Sequence, residues 1–255
     1  MTAPALDVRE LTFSYPDGRV ALSSCSLLVE RGERVALLGP NGAGKTTFVL
    51  HLNGVLSPMH GSICVSGLPV EKPNLREIRR RVGIVFQDPD DQLFMPTVID
   101  DVAFGPRNLG LAEAAVVSRV EAALAAVGMD AFGDRPPHHL SFGQRRRVAL
   151  ATVLAMDPEI LVLDEPSSNL DPASRRELAD ILADLDLTLV MVSHDLPYAL
   201  ELCPRAVLMD RGAIVADGAT RHILSDRSLM AANRLELPYG FDERLLADEN
   251  ARLGT

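Results

Sequence analysis

Residues 39–46 read Gly-Pro-Asn-Gly-Ala-Gly-Lys-Thr, which is the complete pattern G-x-x-x-x-G-K-[ST] of a phosphate-binding loop. Its glycines let consecutive main-chain N–H groups turn toward phosphate oxygens, because no Cβ stands in the way. Lys45 is expected to reach the β- and γ-phosphate oxygens, and the Thr46 hydroxyl is a ligand for Mg²⁺. The loop therefore predicts binding of a nucleoside triphosphate together with Mg²⁺. The residues expected to contact the nucleotide here are Gly39, Pro40, Asn41, Gly42, Ala43, Gly44, Lys45, Thr46 and Thr47.

A pair of carboxylates is the second group that could do chemistry. The aliphatic run 160–163 is followed by Asp164, Glu165 and a proline. Ligands of α/β proteins bind at the carboxyl ends of parallel strands. Asp164 there suits the outer shell of the Mg²⁺ held by Thr46, and Glu165 could polarise an attacking water. Taken alone, Asp-Glu-Pro is also typical of a polar turn, but its place downstream of a phosphate loop favours hydrolysis of the nucleotide.

The elements that must position these groups alternate between strand and helix. An aliphatic strand at 34–38 precedes the loop, and a helix at 45–55 follows it. Further strands are predicted at 6–15, 20–30, 61–65, 82–86, 160–163 and 187–192, with a hairpin around 211–212. Helices are predicted at 112–127 and 142–155, inside an alanine-rich stretch over 97–155, and at 172–185. This order predicts a βαβ chain with a mainly helical insertion.

Composition narrows the class of protein. A chain of 255 residues with 47% hydrophobic and 24% charged residues is ordinary globular material with enough length for a large core. Its net charge of −10 argues against a broad basic groove for nucleic acid. Cys25, Cys64 and Cys203 are far apart and are expected to be reduced. No run approaches 18 apolar residues and the start is unlike a signal peptide, so we expect a cytosolic protein that can bind a membrane partner.

A third motif resembles the signature of ATP-binding cassette (ABC) proteins. It reads Leu-Ser-Phe-Gly-Gln at 140–144 and continues Arg-Arg-Arg-Val-Ala-Leu-Ala. Ser141 can cap the helix that begins here, which leaves N–H groups and the positive end of the helix dipole for an anion. The resemblance implies that Ser141, Gly143 and Gln144 contact the γ-phosphate of ATP bound by the other subunit of a head-to-tail dimer. The family usually has glycine where Phe142 stands. A plain helix start with a solvated arginine face is the alternative.

Four single residues take their expected roles from the same resemblance. Tyr15 matches the aromatic residue that stacks on adenine, and Gln87 matches the glutamine that touches Mg²⁺ and water at the hinge of the helical insertion. Asp171 matches the loop that crosses the dimer interface, although it also suits a helix N-cap. His194 matches the histidine that contacts the γ-phosphate. The implied catalytic residues are Lys45, Gln87, Glu165 and His194, and the implied Mg²⁺ ligands are Thr46, Gln87 and Asp164.

The resemblance covers roughly residues 5–220 and implies an α/β fold. It is the ABC-type P-loop nucleotide-binding domain, with a mainly parallel core sheet, an N-terminal antiparallel β region and an inserted helical subdomain. The domain is expected over 1–225, with the helical subdomain at about 88–157. Residues 226–255 are expected to form a short helical tail, with two helices joined at 237–238. ATP and Mg²⁺ are the implied cofactors.

Within the ABC family, four stretches resemble the ATPases of cobalt/nickel and vitamin transporters of the energy-coupling-factor type. They are 51–54, 86–94, 100–106, and 232–233 together with 237–238. The resemblance implies an ATPase that drives uptake of Co²⁺, Ni²⁺ or a vitamin, bound peripherally on the cytoplasmic side of the cell membrane. The implied partners are a second ABC ATPase chain, identical or a paralogue, a transmembrane coupling subunit and a membrane substrate-binding subunit. No nucleic acid partner is expected.

Three alternatives stay open at this point. The chain could serve an ABC transporter of a different solute, or it could be a soluble ABC ATPase that acts on DNA or the ribosome. The latter class is expected to show tandem cassettes, a zinc insertion, a long coiled coil or a basic surface, none of which the sequence has. An unrelated phosphate-loop kinase or GTPase would lack the signature and His194.

The contact with the membrane is expected at 88–94. A polar turn, Asp-Pro-Asp-Asp, leads there to Leu93 and Phe94, just beyond the hinge residue Gln87. Two exposed apolar side chains rimmed by acids are typical of a docking site for a helix of another protein. A place in the core for Leu93 and Phe94 is the alternative.

Overall fold

The computed structural model describes residues 3–246, and these residues fold around two β-sheets. The strands in chain order are β1 (Leu6–Ser14), β2 (Val20–Val29), β3 (Arg34–Leu38), β4 (His60–Val65), β5 (Leu68–Pro69), β6 (Val82–Val85), β7 (Ile160–Asp164), β8 (Thr188–Val192), β9 (Arg205–Asp210) and β10 (Ala213–Ala219). The α-helices are α1 (Lys45–Leu52), α2 (Leu75–Arg81), α3 (Val98–Asn108), α4 (Glu113–Ala126), α5 (Phe142–Leu154), α6 (Pro172–Asp184), α7 (Leu196–Leu202), α8 (Thr220–Ser225) and α9 (Arg227–Ala232).

The central sheet has six strands in the order β10-β9-β3-β8-β7-β6. All neighbours pair in parallel except β10, which pairs antiparallel with β9 in the predicted hairpin. Strands β7 and β8 are buried at every position, because the sheet is covered on both faces. The expected mainly parallel core sheet is confirmed. Since β3, β8 and β7 are adjacent, the loops that follow them meet at one edge.

The N-terminal sheet has the order β2-β1-β4-β5 and is antiparallel throughout, as expected. Register shifts mark irregularities where β1 pairs with β2 and with β4. Leu11 of this sheet, Phe48 of α1 and Val190 of β8 belong to one buried cluster. This cluster fixes the N-terminal sheet and the helix after the phosphate loop against one face of the central sheet.

The helical insertion consists of α3, α4 and α5, which pack on one another. Val102, Val120 and Val148 lie in the same buried cluster as Leu163 of β7. The predicted helices at 112–127 and 142–155 are confirmed as α4 and α5, with ends within two residues of the expectation. Helix α5 therefore connects the insertion to the strand that carries the two carboxylates.

The last part of the described chain differs from the expected tail in one respect. Helices α8 and α9 meet at Asp226, which caps α9, and a 3₁₀ helix at Glu243–Leu246 follows. Residues 237–238 therefore lie between α9 and this 3₁₀ helix, and the additional junction at Asp226 was not expected. Ile223, Leu224 and Met230 are buried in the same cluster as Leu163 and Leu208 of the central sheet, so these helices pack on the core. Residues 247–255 of the expected tail lie outside the described residues. Across 3–246, no helix combines the length and the apolar character needed to cross a membrane.

Candidate nucleotide-binding and hydrolysis site

The phosphate loop joins the carboxyl end of β3 to the amino terminus of α1. Gly39 has a φ of 145° and Gly44 a φ of 103°, in the region that favours glycine. A Cβ on Gly39 would lie 2.1 Å from the carbonyl oxygen of Met209, and one on Gly44 would lie 2.5 Å from that of Ala21. Close main-chain contacts therefore require glycine at both positions, in addition to the geometry of the turn.

Lys45 lies over the loop, with 7% of its surface exposed. Its Nζ donates to the carbonyl oxygens of Gly39 at 2.7 Å and Pro40 at 3.1 Å. Burial lowers the pKa of Lys45, and the charges of Glu165 and Asp164 oppose this shift. No carboxylate between residues 3 and 246 lies within ion-pair distance of the ammonium. The amine can therefore exchange its two main-chain bonds for charge-assisted bonds to phosphate oxygens.

Thr46 and Asp164 form the candidate Mg²⁺ site. The Thr46 hydroxyl donates to Oδ2 of Asp164 at 3.1 Å. Burial raises the pKa of Asp164, and the bond from Thr46 offsets this only in part. Gln87 lines the same cavity and adds an amide oxygen. A hydroxyl, a buried carboxylate and an amide are the hard oxygen ligands that Mg²⁺ prefers, so these residues fit the ion.

Glu165 begins the loop after β7 in a left-handed conformation, with a φ of 50°. Its main-chain N–H donates to the Val192 carbonyl at 2.9 Å, which fixes the turn to β8. Oε2 of Glu165 accepts the main-chain N–H of His194 at 3.2 Å and lies 2.8 Å from Nδ1 of the same residue. Strained main-chain geometry of this kind persists where surrounding contacts enforce it, often at functional sites. The loops after β7 and β8 thus bring together the two residues expected to act on the γ-phosphate and water.

Tyr15 lies in the turn between β1 and β2. Its hydroxyl is hydrogen-bonded to the Thr47 hydroxyl at 2.9 Å, and its ring makes an edge contact with Phe13 at 5.2 Å. The guanidinium of Arg19 lies over the Tyr15 ring, 4.9 Å from the centroid. The sequence analysis did not identify Arg19 as a site residue. Its place four residues after Tyr15, in the same turn, could have indicated that the two side chains meet.

One cavity of about 230 Å³ unites most of the predicted residues. It is lined by Tyr15, Arg19, Val20, Ala21, Asn41, Gly42, Ala43, Gly44, Lys45, Thr46, Thr47, Gln87, Asp164, Glu165 and Val192. The adenine, phosphate, Mg²⁺ and water contacts predicted from separate motifs therefore share one concave surface. Gly39 and Pro40 contribute through their carbonyl bonds to Lys45, and His194 through its contact with Glu165.

The signature residues lie outside this cavity. Ser141 caps α5 by accepting the N–H of Gln144 at 3.2 Å, and Gln144 accepts the N–H of Ser141 at 2.9 Å, so the pair forms a capping box. A Cβ on Gly143 would lie 2.6 Å from Oγ of Ser174, which explains glycine there. The expected helix start is confirmed. Since the chain does not bring these residues to its own phosphate loop, their contact with nucleotide stays a prediction about a second chain.

Asp171 is the N-cap of α6 in this structure. Its Oδ1 accepts the N–H groups of Ala173 and Ser174 at 3.0 Å, and its Oδ2 accepts the Ser174 hydroxyl at 2.7 Å. These bonds lower the pKa of Asp171. The capping role is therefore present, and the expected contact across a dimer interface stays a prediction.

Gln92 makes contacts near the site that the sequence analysis did not assign to it. Its Oε1 accepts the main-chain N–H of Phe86 at 3.2 Å, and its Nε2 donates to the Ala149 carbonyl and the Thr152 hydroxyl, both at 2.7 Å. Ala149 and Thr152 belong to α5. Gln92 thus ties the residue before Gln87 to the signature helix. A single glutamine in a polar turn has no local pattern that could have revealed this role.

The chain is similar to several proteins of known family. A protein of Streptomyces coelicolor that is provisionally named an ABC transporter ATP-binding protein is 70% identical over 243 residues, which are 95% of this chain and 94% of that protein. The energy-coupling factor transporter ATP-binding protein EcfA of Methanococcus maripaludis is 45% identical over 254 residues, 98% of this chain and 91% of that protein.

Solved structures agree with these relatives. The structure of cbiO1 from Clostridium perfringens, part of the ABC transporter complex cbiONQ, superposes with a TM-score of 0.80 at 37% identity and covers 92% of this chain and 96% of that chain. A dimer of the ATP-binding cassette MJ0796 in a post-hydrolysis state with ADP and Pi gives a TM-score of 0.76 at 25% identity, over 84% of this chain and 98% of that chain. The family model described as ABC transporter matches residues 22–168. On this fold, this site and these matches, the chain belongs to the ABC transporter family and is an ATP-binding ATPase of that family.

Proposed function

We propose that this chain is the ATP-hydrolysing subunit of a membrane importer of the cobalt/energy-coupling-factor type. The proposal rests on the similarity to EcfA over 98% of the chain and to cbiO1 over 92%. The solute is then a transition-metal cation, Co²⁺ or Ni²⁺, or a vitamin. The chain binds peripherally on the cytoplasmic side of the membrane, where a transmembrane coupling subunit and a substrate-binding subunit complete the transporter.

The reaction is attack of water on the γ-phosphorus of ATP, with cleavage of the bond to the β-phosphate oxygen and release of ADP and phosphate. Glu165 orients the water and takes up its proton, because its carboxylate faces the nucleotide cavity. His194 contacts Glu165 through Nδ1 and is assigned the contact with the γ-phosphate. Lys45 leaves its carbonyl partners for the β- and γ-oxygens. Mg²⁺, held by Thr46, Gln87 and Asp164, would neutralise phosphate charge when bound.

The active unit is a head-to-tail dimer with two composite sites. Each site combines the phosphate loop of one chain with Ser141, Gly143 and Gln144 of the other. The capping box supports this arrangement, because it leaves the amino terminus of α5 exposed at Ser141 and outside the chain's own cavity. All the motifs of a complete site are present in this chain, so a homodimer is sufficient for hydrolysis.

The contact with the coupling subunit is a surface that we name the docking patch, composed of Phe94, Phe104, Asp88, Asp90 and Asp91. Phe94 is 64% exposed and Phe104 42%, and their rings meet edge to face at 4.9 Å. The three acids are exposed and precede Phe94 in the chain, and Asp90 is ion-paired with Arg145 at 2.9 Å. Paired exposed aromatic rings with a charged rim suit the binding of a helix of another protein.

The structure corrects one part of the docking hypothesis. Leu93 is only 9% exposed and packs in the core cluster of the helical insertion. For Leu93, the alternative of a place in the core is therefore correct. Phe94 is the exposed member of the pair, as expected. The main-chain N–H groups of Phe94 and Met95 both donate to Oδ1 of the buried Asp101 at 3.0 Å, which fixes the direction of this turn.

Reconstitution tests the proposed function. The chain, affinity-tagged and expressed in its own host, should co-purify from detergent-solubilised membranes with an integral membrane protein. Proteoliposomes of that complex should accumulate radiolabelled cobalt, nickel or a vitamin in an ATP-dependent manner, and a complex with Glu165→Gln should not. Recovery of the chain with ribosomes or DNA instead would contradict the importer assignment, while ATP hydrolysis by the purified chain reports on the ATPase separately.

A further inference from the structure

Arg146, in the second turn of α5, is a charged side chain with an unusual environment. It is 1% exposed, so it does not belong to the solvated arginine face that the sequence alone allowed. Throughout the described residues, 3–246, no carboxylate lies within ion-pair distance of its guanidinium. Buried arginines normally have a carboxylate partner, since an uncompensated charge is costly to remove from water. Burial accordingly lowers the pKa of Arg146. Groups other than carboxylates must therefore stabilise the buried guanidinium.

The partners of Arg146 are main-chain carbonyls of two separate loops. Nη1 donates to the carbonyl of Phe86 at 3.0 Å, and Nη2 donates to the carbonyl of Ser168 at 3.3 Å. Phe86 directly precedes Gln87, the expected Mg²⁺ and water ligand. Ser168 begins the stretch that ends at Asp171, the residue expected to cross the dimer interface. The planar guanidinium thus binds both loops at once through two different nitrogens. The compact ammonium of a lysine has a single nitrogen and could not reach both carbonyls in this way.

Phe142 covers this guanidinium from the amino-terminal side. The aromatic ring lies 5.3 Å from the Arg146 guanidinium carbon, within the range of cation–π attraction. The family's usual residue at this position is glycine, which has no side chain to make such a contact. The departure at Phe142 and the buried arginine one turn later are therefore two parts of one arrangement.

The side chain of Gln92 makes a second, independent connection between the loop at Phe86 and α5. Gln92 accepts the main-chain N–H of Phe86 and donates to the Ala149 carbonyl on α5. Both main-chain polar groups of Phe86 are thereby bonded to side chains that are fixed to α5 or part of it. A displacement of α5 must move Phe86, and with it Gln87, together with the loop that begins at Ser168.

We propose that Arg146 is a positioning residue for ATP hydrolysis, which holds the Gln87 loop and the 168–171 loop in register with the signature helix. It acts through Gln87 and Asp171 and does not touch nucleotide. The inference rests on the proposed roles of these two residues. Because the phosphate loop makes no bond to Arg146, loss of the guanidinium should slow the chemical step and leave ATP binding by the chain intact.

The test compares Arg146→Met and Arg146→Lys with Arg34→Met in the purified full-length chain. Arg34 also donates to main-chain carbonyls, those of Leu182 and Leu185, but it lies at the amino end of β3, away from the nucleotide loops. We expect kcat to fall by about 10- to 100-fold in Arg146→Met, as small misplacements of reacting groups typically cost, with KM and the ATP Kd changed by less than about 2-fold. Arg146→Lys should recover part of the loss, and Arg34→Met should keep the kcat of the unaltered chain.

The melting temperature separates positioning from folding. Arg146→Met leaves the carbonyls of Phe86 and Ser168 without their donor, and Arg34→Met does the same to those of Leu182 and Leu185, so both variants should lower Tm by similar amounts. Only Arg146→Met should also lower kcat. Unchanged kcat in Arg146→Met, a rise in KM that matches the fall in kcat, or an equal loss in Arg34→Met would each overturn the proposal. If Arg146→Met does not fold, Arg146→Lys decides the question by the same criteria. Absence of hydrolysis by the unaltered chain would overturn the ATPase assignment and this inference together, whereas a wild-type rate in the Arg146 variants overturns the inference alone.

Discussion

Nδ1 of His194 lies 2.8 Å from Oε2 of Glu165, and the main-chain N–H of His194 donates to the same oxygen at 3.2 Å. The two residues follow β7 and β8, which are neighbours in the central sheet and pair in parallel, with Asp164 opposite Val192. The register of two adjacent strands therefore positions the base and its partner relative to each other. The two residues lie 29 positions apart in the sequence, and the chain between them includes α6 and β8.

The first prediction concerns Glu165. Glu165→Gln keeps the shape of the side chain but removes the base, so we expect ATP binding to persist and hydrolysis to fall by a factor on the order of 10²–10⁴. The inactive protein should accumulate as an ATP-bound dimer, which size-exclusion chromatography with and without ATP will show. Hydrolysis near the rate of the unaltered chain would remove Glu165 from the catalytic role.

The second prediction tests action between two chains. Ser141→Arg should block the amino terminus of α5 for the partner's γ-phosphate, while Lys45→Ala should disable the phosphate loop of its own chain. A mixture of the two variants can form heterodimers with one intact composite site and one doubly altered site. We therefore expect ATP-dependent association in the mixture that neither variant shows alone, measured by size-exclusion chromatography. Hydrolysis by each separate variant at the rate of the unaltered chain would contradict the head-to-tail dimer.

The third prediction concerns the docking patch. Phe94→Asp places a charge on a side chain that is already 64% exposed, so nucleotide binding and Tm should change little. Co-purification with the membrane subunit, and ATP-dependent solute uptake, should be lost because the aromatic pair with Phe104 is broken. Intact assembly with the membrane subunit would remove Phe94 from the docking site.

Two neighbouring positions are controls for this experiment. Val117→Asp alters another exposed apolar side chain of the helical insertion, 48% exposed on α4, and should leave assembly unchanged. Leu93→Asp puts a carboxylate into the core cluster and should lower Tm sharply, since burying an unpaired charge is among the strongest destabilising changes. If Phe94→Asp lowered Tm as Leu93→Asp does, its loss of assembly would report on folding and the docking role would fail.

The fourth prediction follows from the raised pKa of Asp164. Burial disfavours the ionised carboxylate in the folded, nucleotide-free chain, so its folded-state pKa lies above the usual 3.8. At neutral pH the ionised Asp164 carboxylate lowers the free energy of unfolding. This destabilisation disappears as the pH falls through the raised pKa toward 3.8, because the carboxylate then becomes protonated in the folded chain. Asp164→Asn should therefore raise Tm of the nucleotide-free protein at pH 7.5, by about 2–4 °C for each kcal/mol gained.

The difference between Asp164→Asn and the unaltered chain should shrink as the pH is lowered from neutral, which thermal unfolding at a series of pH values will measure. With Mg²⁺ and ATP present, Asp164→Asn should have the lower Tm of the two proteins. The variant lacks the carboxylate at the candidate Mg²⁺ site and should gain less stability from binding the ion with ATP. The exposed Asp130 supplies the control, and Asp130→Asn should leave Tm at pH 7.5 unchanged. A Tm difference for Asp164→Asn that is constant with pH, or negative at pH 7.5, would contradict the assignment.

The local motifs were readable in the sequence because their geometry is set within a few residues. The glycines of the phosphate loop are required by positive φ values, and the three-residue spacing of Ser141 and Gln144 is that of a capping box. The five aliphatic and acidic residues of β7 are buried at every position, as the run predicted. The alternation of strands and helices, the phosphate loop and the carboxylate pair followed from such patterns, whereas the ABC-type fold, Tyr15 and Gln87 were expected from the family resemblance.

Burial of individual side chains could not be read in the same way. Leu93 and Phe94 are adjacent apolar residues in an irregular turn, where no period assigns one to the core and the other to solvent. Arg145, Arg146 and Arg147 look alike in the sequence, yet only Arg146 is fully buried, because α5 packs between the two loops at that position. Residues 237–238 do lie between two helical pieces, α9 and the 3₁₀ helix at Glu243–Leu246, but the junction of α8 and α9 at Asp226 had no signal that the sequence analysis used.

The sequence by itself determined which chemical groups this protein carries: a triphosphate loop, a pair of carboxylates after a buried strand, and a capped signature helix. The tertiary structure decided which of them meet. Glu165 contacts His194 because β7 and β8 are neighbours in the sheet, and Tyr15 reaches Thr47 because a separate antiparallel sheet packs beside the loop helix. Such contacts depend on the packing of distant segments, which short-range sequence patterns do not encode.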